Sequence, residues 1–194
     1  MSAPSSPELG AWSGEDDYSS ASAKEWSNLV PDADLDVDLT AMATRFQRGA
    51  RVLAAAHNKQ LKHFAGLGIT GIADYDTMIL LRRSRPSGLQ ISEISESLRM
   101  TRGAVSNRID RLERDGLITR TSNPRDRRSH FVALTPTGAH LAERMYTAIH
   151  AVDAAFFGGL TDSQVLQLAE LLSIVRGTRT EARALMKSSL SESS

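Results

Sequence analysis

The chain has no cysteine. That one absence excludes disulfides, thiolate metal sites and thiol-based peroxide sensing. No apolar run approaches the roughly 18 residues of a membrane span. The N-terminus also lacks a basic region followed by a hydrophobic core, so neither a membrane partner nor a signal peptide is expected, and a cytoplasmic location follows. A catalytic constellation is missing as well. The five histidines, His57, His63, His130, His140 and His150, are scattered along the chain, and none forms a metal pair at useful spacing with a carboxylate. No nucleophile elbow is present. Enzyme activity, a bound metal and a cofactor are therefore not expected.

Net charge is also lacking, at +0, which would argue against a polyanionic partner if it were spread evenly. It is not. Residues 1–40 hold nine acids and one base, whereas residues 82–128 hold twelve arginines, six acids and no lysine. That second stretch is a local footprint for an anionic partner. Its exclusive use of arginine suits planar, bidentate contacts to phosphates and guanine edges. Hydrophobic residues at 41% and charged residues at 24% fit an ordinary globular chain.

Along the chain, residues 1–16 are rich in Ser, Pro, Gly and acid and read as a disordered tail. Residues 17–66 read as N-terminal helices. A short one runs from Asp17 to Val30, with Tyr18, Ser22, Trp26 and Leu29/Val30 as its stripe, and Pro31 ends it. A long one follows from about Leu39 to Phe64, broken by Gly66 and Gly68. Residues 67–134 form the next segment. Thr70 is placed to cap a helix from Gly71 to about Arg83, and Pro86-Ser87-Gly88 turns the chain. Residues 135–188 complete the fold with two helices. The first starts at Thr135-Pro136, and the second at the capping box Thr161-Asp162-Ser163-Gln164. The apolar stripes of these terminal helices, including Val165, Leu168, Leu171/Leu172 and Val175, exceed what one small domain covers. A homodimer is the expected way to bury them.

The most telling stretch lies between Ile91 and Thr135. Ile91 to Leu98 reads as a short helix, Met100 to Arg114 as a second helix rich in arginine, and two strands follow around the tip Asn123-Pro124-Arg125-Asp126-Arg127-Arg128. This is the order of a winged helix-turn-helix within a mainly α fold carrying a small β-wing. On the second helix, Val105, Ile109 and Leu112 face the first through Ile94 and Leu98. Thr101, Arg102, Ser106, Asn107 and Arg111 are then candidates to meet double-stranded DNA. Arg125, Arg127 and Arg128 at the tip are suited to tracking phosphates or entering a narrow minor groove. A ligand-independent DNA-binding protein and a winged-helix protein-interaction module are the competing readings.

These words together resemble the MarR family of homodimeric bacterial transcription regulators. The matching segments are Asn107 to Glu113, Gly116-Leu117-Ile118, Pro124 to Arg128, Leu134-Thr135-Pro136-Thr137-Gly138 and Gly159-Leu160-Thr161, within a span from about Asp38 to Val175. The resemblance implies a dimer joined by its terminal helices, two winged lobes on successive major grooves of a near-palindromic operator, and repression as the mode of control. A narrower similarity, carried by Trp26, Pro31 to Asp36 and Ala73 to Arg83, is to the PecS or urate-responsive branch, which has an extra N-terminal helix. It implies a small anionic aromatic effector held by Trp26, Asp76, Arg108 and Arg120. On a helical wheel Asp76 falls between Ile72 and Ile79, the face expected to be buried. A buried carboxylate needs a partner, and Arg108 is the expected one.

Overall fold

The computed structural model describes residues 18–33, 35–123 and 126–177, with backbone alone at 123, 126–129, 176 and 177. The expected tail 1–16, the tip residue Arg125, the side chains of Arg127 and Arg128, and residues 178–188 lie outside the described residues. Among the described residues seven α-helices and three strands follow in the order α1 (Tyr18–Leu29), α2 (Val37–Leu61), α3 (Ile72–Arg82), β1 (Leu89–Gln90), α4 (Ile91–Leu98), α5 (Arg102–Arg114), β2 (Ile118–Asn123), β3 (Asp126–Leu134), α6 (Pro136–Phe157) and α7 (Asp162–Gly177). No single helix among the described residues is long and apolar enough to cross a membrane.

The chain divides into two compact units, with the boundary between Val152 and Asp153. The first unit holds the core. Leu61, Phe64 and Ile69 from the end of α2 and the turn after it meet Met78 and Leu81 of α3, Ile94 of α4, and Val105, Ile109 and Leu112 of α5. Leu117, Ile118 and Val132 enter from the hairpin, and Leu141, Ala142, Met145 and Ile149 from α6. The spacing of Val105, Ile109 and Leu112 is one face of a helix, and that face is fully buried, as the apolar periodicity predicts. The polar side of the same helix is left outside.

The sheet has the order β1-β3-β2 with β3 central. The β2–β3 hairpin pairs Ile118 with Leu134 and Arg120 with Val132, and its register slips between Ser122 and Asn123. The short strand β1, which no sequence pattern announces, pairs Leu89 with Val132. Two residues are too few to give a periodic signal. What allows the pairing is Gly88 at φ +83°, where a Cβ would lie 2.2 Å from the Val132 carbonyl oxygen.

The helix caps show how local chemistry sets the element ends. Asp36 accepts from the Leu39 N–H at 2.9 Å and starts α2. Thr135 Oγ1 accepts from the Gly138 N–H at 3.0 Å and starts α6. The Thr161–Gln164 box forms as expected, with the Thr161 N–H donating to Gln164 Oε1 at 2.9 Å. At α3 the expectation is corrected. Gly71 is the cap residue, and Thr70 donates to the helix through its N–H and its hydroxyl, both 2.7 Å from Asp74 Oδ2.

On α1 the expected stripe is also corrected. The buried residues are Ser19 and Ala23, while Tyr18 and Trp26 are exposed. Helix α1 packs closely on α2 through its small residues, and the aromatic residues stay outside, where Tyr18 lies under Arg48 at 4.8 Å. In the second unit, Phe156 and Phe157 meet edge to face at 4.9 Å. Val165, Leu166, Leu171, Leu172, Ile174 and Val175 of α7 are exposed.

Gly138 is the tightest point of α6, where a Cβ would stand 1.9 Å from the Leu117 carbonyl oxygen. Gly138→Ala is therefore expected to lower the unfolding free energy by about 3 kcal/mol, since overpacking against backbone has no easy relief. At Gly103 a Cβ meets nothing within 4 Å. Gly103→Ala should raise stability by roughly 0.5–1 kcal/mol through helix propensity. Urea unfolding of the two variants checks the contrast. Equal midpoints would refute the close approach of α6 to Leu117.

Candidate nucleic-acid interface and the cleft behind it

Helix α4 begins with the Gln90 N–H donating to Glu93 Oε2 at 2.6 Å. That bond, with Arg85 beside it, holds the Glu93 carboxyl below its ordinary value. Arg85 grips both Glu93 oxygens at 2.9 and 2.8 Å and lies 5.6 Å from the centre of the Phe131 ring. The first helix of the motif is thus tied to the central strand. Leu98 ends α4, and the Met100 N–H returns to the Ser95 carbonyl at 3.0 Å. Thr101 then caps α5, accepting from the Ala104 N–H at 3.3 Å.

With α5 seated through its apolar face, Thr101, Arg102 and Asn107 are exposed and Ser106 is half-buried at the edge. The side chains of Arg102, Ser106 and Asn107 make no hydrogen bond or ion pair with another described residue. The first two turns of the helix therefore present unspent donors and acceptors to solvent. Such a surface is suited to a duplex groove.

Arg111, expected on the same surface, is turned inward. Its Nη2 bonds Asp74 Oδ1, and its Nη1 donates to the Gly68 carbonyl at 2.6 Å. Asp115 lies 3.9 Å away. The reason is helical phase. Arg111 sits three residues after Arg108, and both reach back to the corner between α2 and α3. There Asp74 is only 2% exposed. Arg108 Nε stands 3.3 Å from Asp74 Oδ1, and its Nη1 donates to Thr77 Oγ1 at 3.4 Å. One buried carboxylate thus accepts from Arg111 and from both donors of Thr70, and forms an ion pair with Arg108.

The expected partner of Arg108, Asp76, is corrected accordingly. The buried face of α3 is Asp74, Thr77, Met78 and Leu81, and two residues along a helix is a rotation of about 200°. Asp76 is consequently exposed. Its carboxyl still loses enough hydration to be raised above the ordinary value, against the opposing pull of Arg108 and His57. Arg120 does not join this group. It bonds Asp110 and, at 3.0 Å, Glu113 Oε2, tying β2 to the outer face of α5. Trp26, 56% exposed on α1, does not line the cleft behind α5 either.

That cleft has a volume of about 480 Å³ and is lined by Asn58, Thr70, Asp74, Asn107, Arg108 and Arg111 among others. The structure therefore brings Arg108 to a ligand-sized space but supplies Asp74, Arg111 and Asn58 in place of Trp26, Asp76 and Arg120. The signal that points to Asp74 is its spacing to Thr77/Met78 and Leu81, which is as regular as the pattern that suggested Asp76.

Two outcomes follow. Asp74→Ala should cost about 3 kcal/mol of stability, at the low end for a broken buried pair because both arginines keep some contact with water; chemical denaturation measures it. Raised in the fold, the Asp76 pKa means that ionisation of this group opposes folding above its folded pKa. The penalty is absent below the unfolded value of about 3.8. Asp76→Asn should then unfold at a higher temperature than the wild type at pH 7, with the difference closing as pH falls toward 4. A difference that grows on acidification would reverse the assignment.

The sequence profile of the MarR family matches residues 67–129, the stretch from the turn after α2 to the wing. The HTH-type transcriptional repressor MdtR of Bacillus subtilis (strain 168) is 30% identical over 118 residues, which is 60% of this chain and 76% of MdtR. Among solved structures, AbsC, a MarR family transcriptional regulator from Streptomyces coelicolor, superposes with a TM-score of 0.64 at 22% identity, covering 75% of this chain and 97% of AbsC. Sco3205 from the same organism, solved in complex with DNA, gives 0.63 at 24% identity over 73% of this chain and 88% of its own. Both neighbours have the winged helix-turn-helix fold built above. With α5 presenting its polar face and the profile lying on that same motif, the chain belongs to the MarR family of DNA-binding transcription regulators.

Proposed function

We propose that the protein is a homodimeric repressor that binds a near-palindromic operator and leaves it when a small anionic aromatic ligand enters the cleft behind α5. The observation that carries this reading is the division of labour on α5. Its outer residues Arg102, Ser106 and Asn107 have no partner among the described residues, while its inner residues Arg108 and Arg111 are held by Asp74. The outer set reads the major groove. Arg125, Arg127 and Arg128, at the tip in sequence, track backbone phosphates. Repression is the mode named for MdtR, the relative matched over 60% of this chain.

Dimerisation is supported by the apolar residues that the chain leaves uncovered. Leu39, Met42 and Phe46 on α2 are exposed, as are Leu171, Leu172 and Val175 on α7. A second copy covers such faces at the least cost in specificity. Two lobes then meet half-sites about ten base pairs apart.

The ligand reading rests on the cations that line the cleft. Arg108 and Arg111 border it together with the single lining carboxylate Asp74. An anion entering it competes with Asp74 for Arg108 and Arg111. It loosens the tie that sets the angle of the reading helix.

A mobility shift on DNA flanking this protein's own gene, with and without urate, xanthine and simple phenolic acids, tests both parts. Asn107→Ala should change sequence preference by about 1–3 kcal/mol at one base pair. Arg127→Ala should weaken all duplexes and flatten the salt slope by about 0.9. Sedimentation should show a species of twice the 21.1 kDa chain mass. Wild-type protein that sediments as a single chain, or binds this DNA no better than random duplex, removes the operator reading. Release by none of the anions removes the effector reading alone.

A further inference from the structure

Helix α4 ends in a left-handed cap at a residue that is not glycine, the residue usual in such a cap. Arg99 has φ 52° and ψ 44° and is the one non-glycine residue with positive φ among the described residues. Comparable left-handed turns at Gly68, Gly88 and Gly116 are glycine. In that region a Cβ crowds the following carbonyl, which glycine escapes and arginine does not. Backbone bonds hold the turn in place. The Arg99 N–H reaches the Glu96 carbonyl at 3.2 Å, the Met100 N–H reaches Ser95, and Ser95 Oγ donates to the Met100 carbonyl.

None of these bonds uses the arginine side chain. Arg99 is exposed, and its side chain makes no hydrogen bond or ion pair with another described residue. Folding thus gains nothing from an arginine here and loses the ease that glycine would bring. The location supplies a reason. Arg99 stands two residues before Thr101, the cap of α5, and three before Arg102 on the outward face. Strain kept at a position where the side chain is unspent marks a function outside the fold.

We infer that Arg99 is a DNA-contacting residue, its guanidinium binding a backbone phosphate at the edge of the groove that α5 enters. The inference rests on α5 as the DNA-reading helix. A phosphate contact carries no sequence information, so Arg99 sets affinity and the depth of docking, while the residues of α5 set preference. An arginine at this turn also places a fixed positive charge beside the helix N-terminus, whose own partial charge favours the same phosphate.

The test compares Arg99→Gly, Arg99→Gln and Arg102→Ala in the full chain, on a mixed-sequence duplex of about 30 base pairs across a salt series. Arg99→Gly relieves the backbone and removes the charge, so it should unfold at the same or a higher temperature than wild type while binding about 5- to 10-fold more weakly near 0.1 M salt, with a salt slope smaller by about 0.9. Arg99→Gln keeps the strain and should show the same loss of affinity without the gain in stability. Wild-type affinity and slope in both Arg99 variants, with weaker binding in Arg102→Ala, would overturn the role of Arg99 and leave the docking of α5 intact. Wild-type binding in all three would overturn the docking of α5 and this inference with it. A lower unfolding temperature for Arg99→Gly would show that the arginine serves the fold, and would overturn the inference from the other side.

Discussion

The placement of the reading helix depends on a carboxylate that is almost out of water. Asp74, at the first turn of α3, is surrounded by Arg108 and Arg111 of α5 and by both donors of Thr70. Moving a lone carboxylate to such a position costs several kcal/mol, and only close charged and hydrogen-bonding partners offset it. The partners come from the corner after α2 and from α5, so the cost is met only when these pieces stand in one arrangement. The bond from Arg111 to the Gly68 carbonyl strengthens this, since it anchors the same guanidinium at a second point. Apolar contact through Val105, Ile109 and Leu112 provides most of the attraction, but it tolerates small rotations. Charged bonds of fixed geometry do not.

The arginines of the reader domain consequently divide into two populations. Arg82 is paired with Glu143, Arg85 with Glu93, and Arg120 with Asp110 and Glu113. Arg108 and Arg111 are taken by Asp74. These side chains fasten helices and strands to one another and contribute little unscreened charge to an approaching duplex. Among the remainder is Arg102, exposed on the outer face of α5. A count of arginines along residues 82–128 therefore overstates the electrostatic footprint, because ion pairing inside the domain neutralises part of it. It is the outward remainder that defines a docking surface.

The same economy explains the helices that flank the reader. Ser19 and Ala23 let α1 lie close on α2, and close approach of backbones leaves the large side chains Tyr18 and Trp26 outside. Helix α7 keeps a set of exposed aliphatic residues from Val165 to Val175. Apolar surface of this extent has a use in the family reading, where terminal helices join two copies.

Much of this was legible in the residue order. The apolar spacing of Ile94, Val105, Ile109 and Leu112 determined the helix pair of the reader, and Thr135-Pro136 and Thr161 to Gln164 determined where α6 and α7 begin, because caps and periodicity act over three or four residues and need no distant partner. The outward placement of Thr101, Arg102 and Asn107 followed from the same phase. What only the tertiary structure decided was which charges meet. Asp74 and Asp76 stand on one helix with apolar neighbours at plausible spacing on either phase, and the choice fell to Asp74 because two guanidiniums from a helix more than thirty residues away reach it. Arg111 reads as a DNA-facing cation and Arg120 as a ligand holder until the corner carbonyl of Gly68 and the carboxylates of Asp110 and Glu113 come within bonding distance. Pairings of this kind are long-range, and a side chain's local sequence carries no record of the partner that will satisfy it.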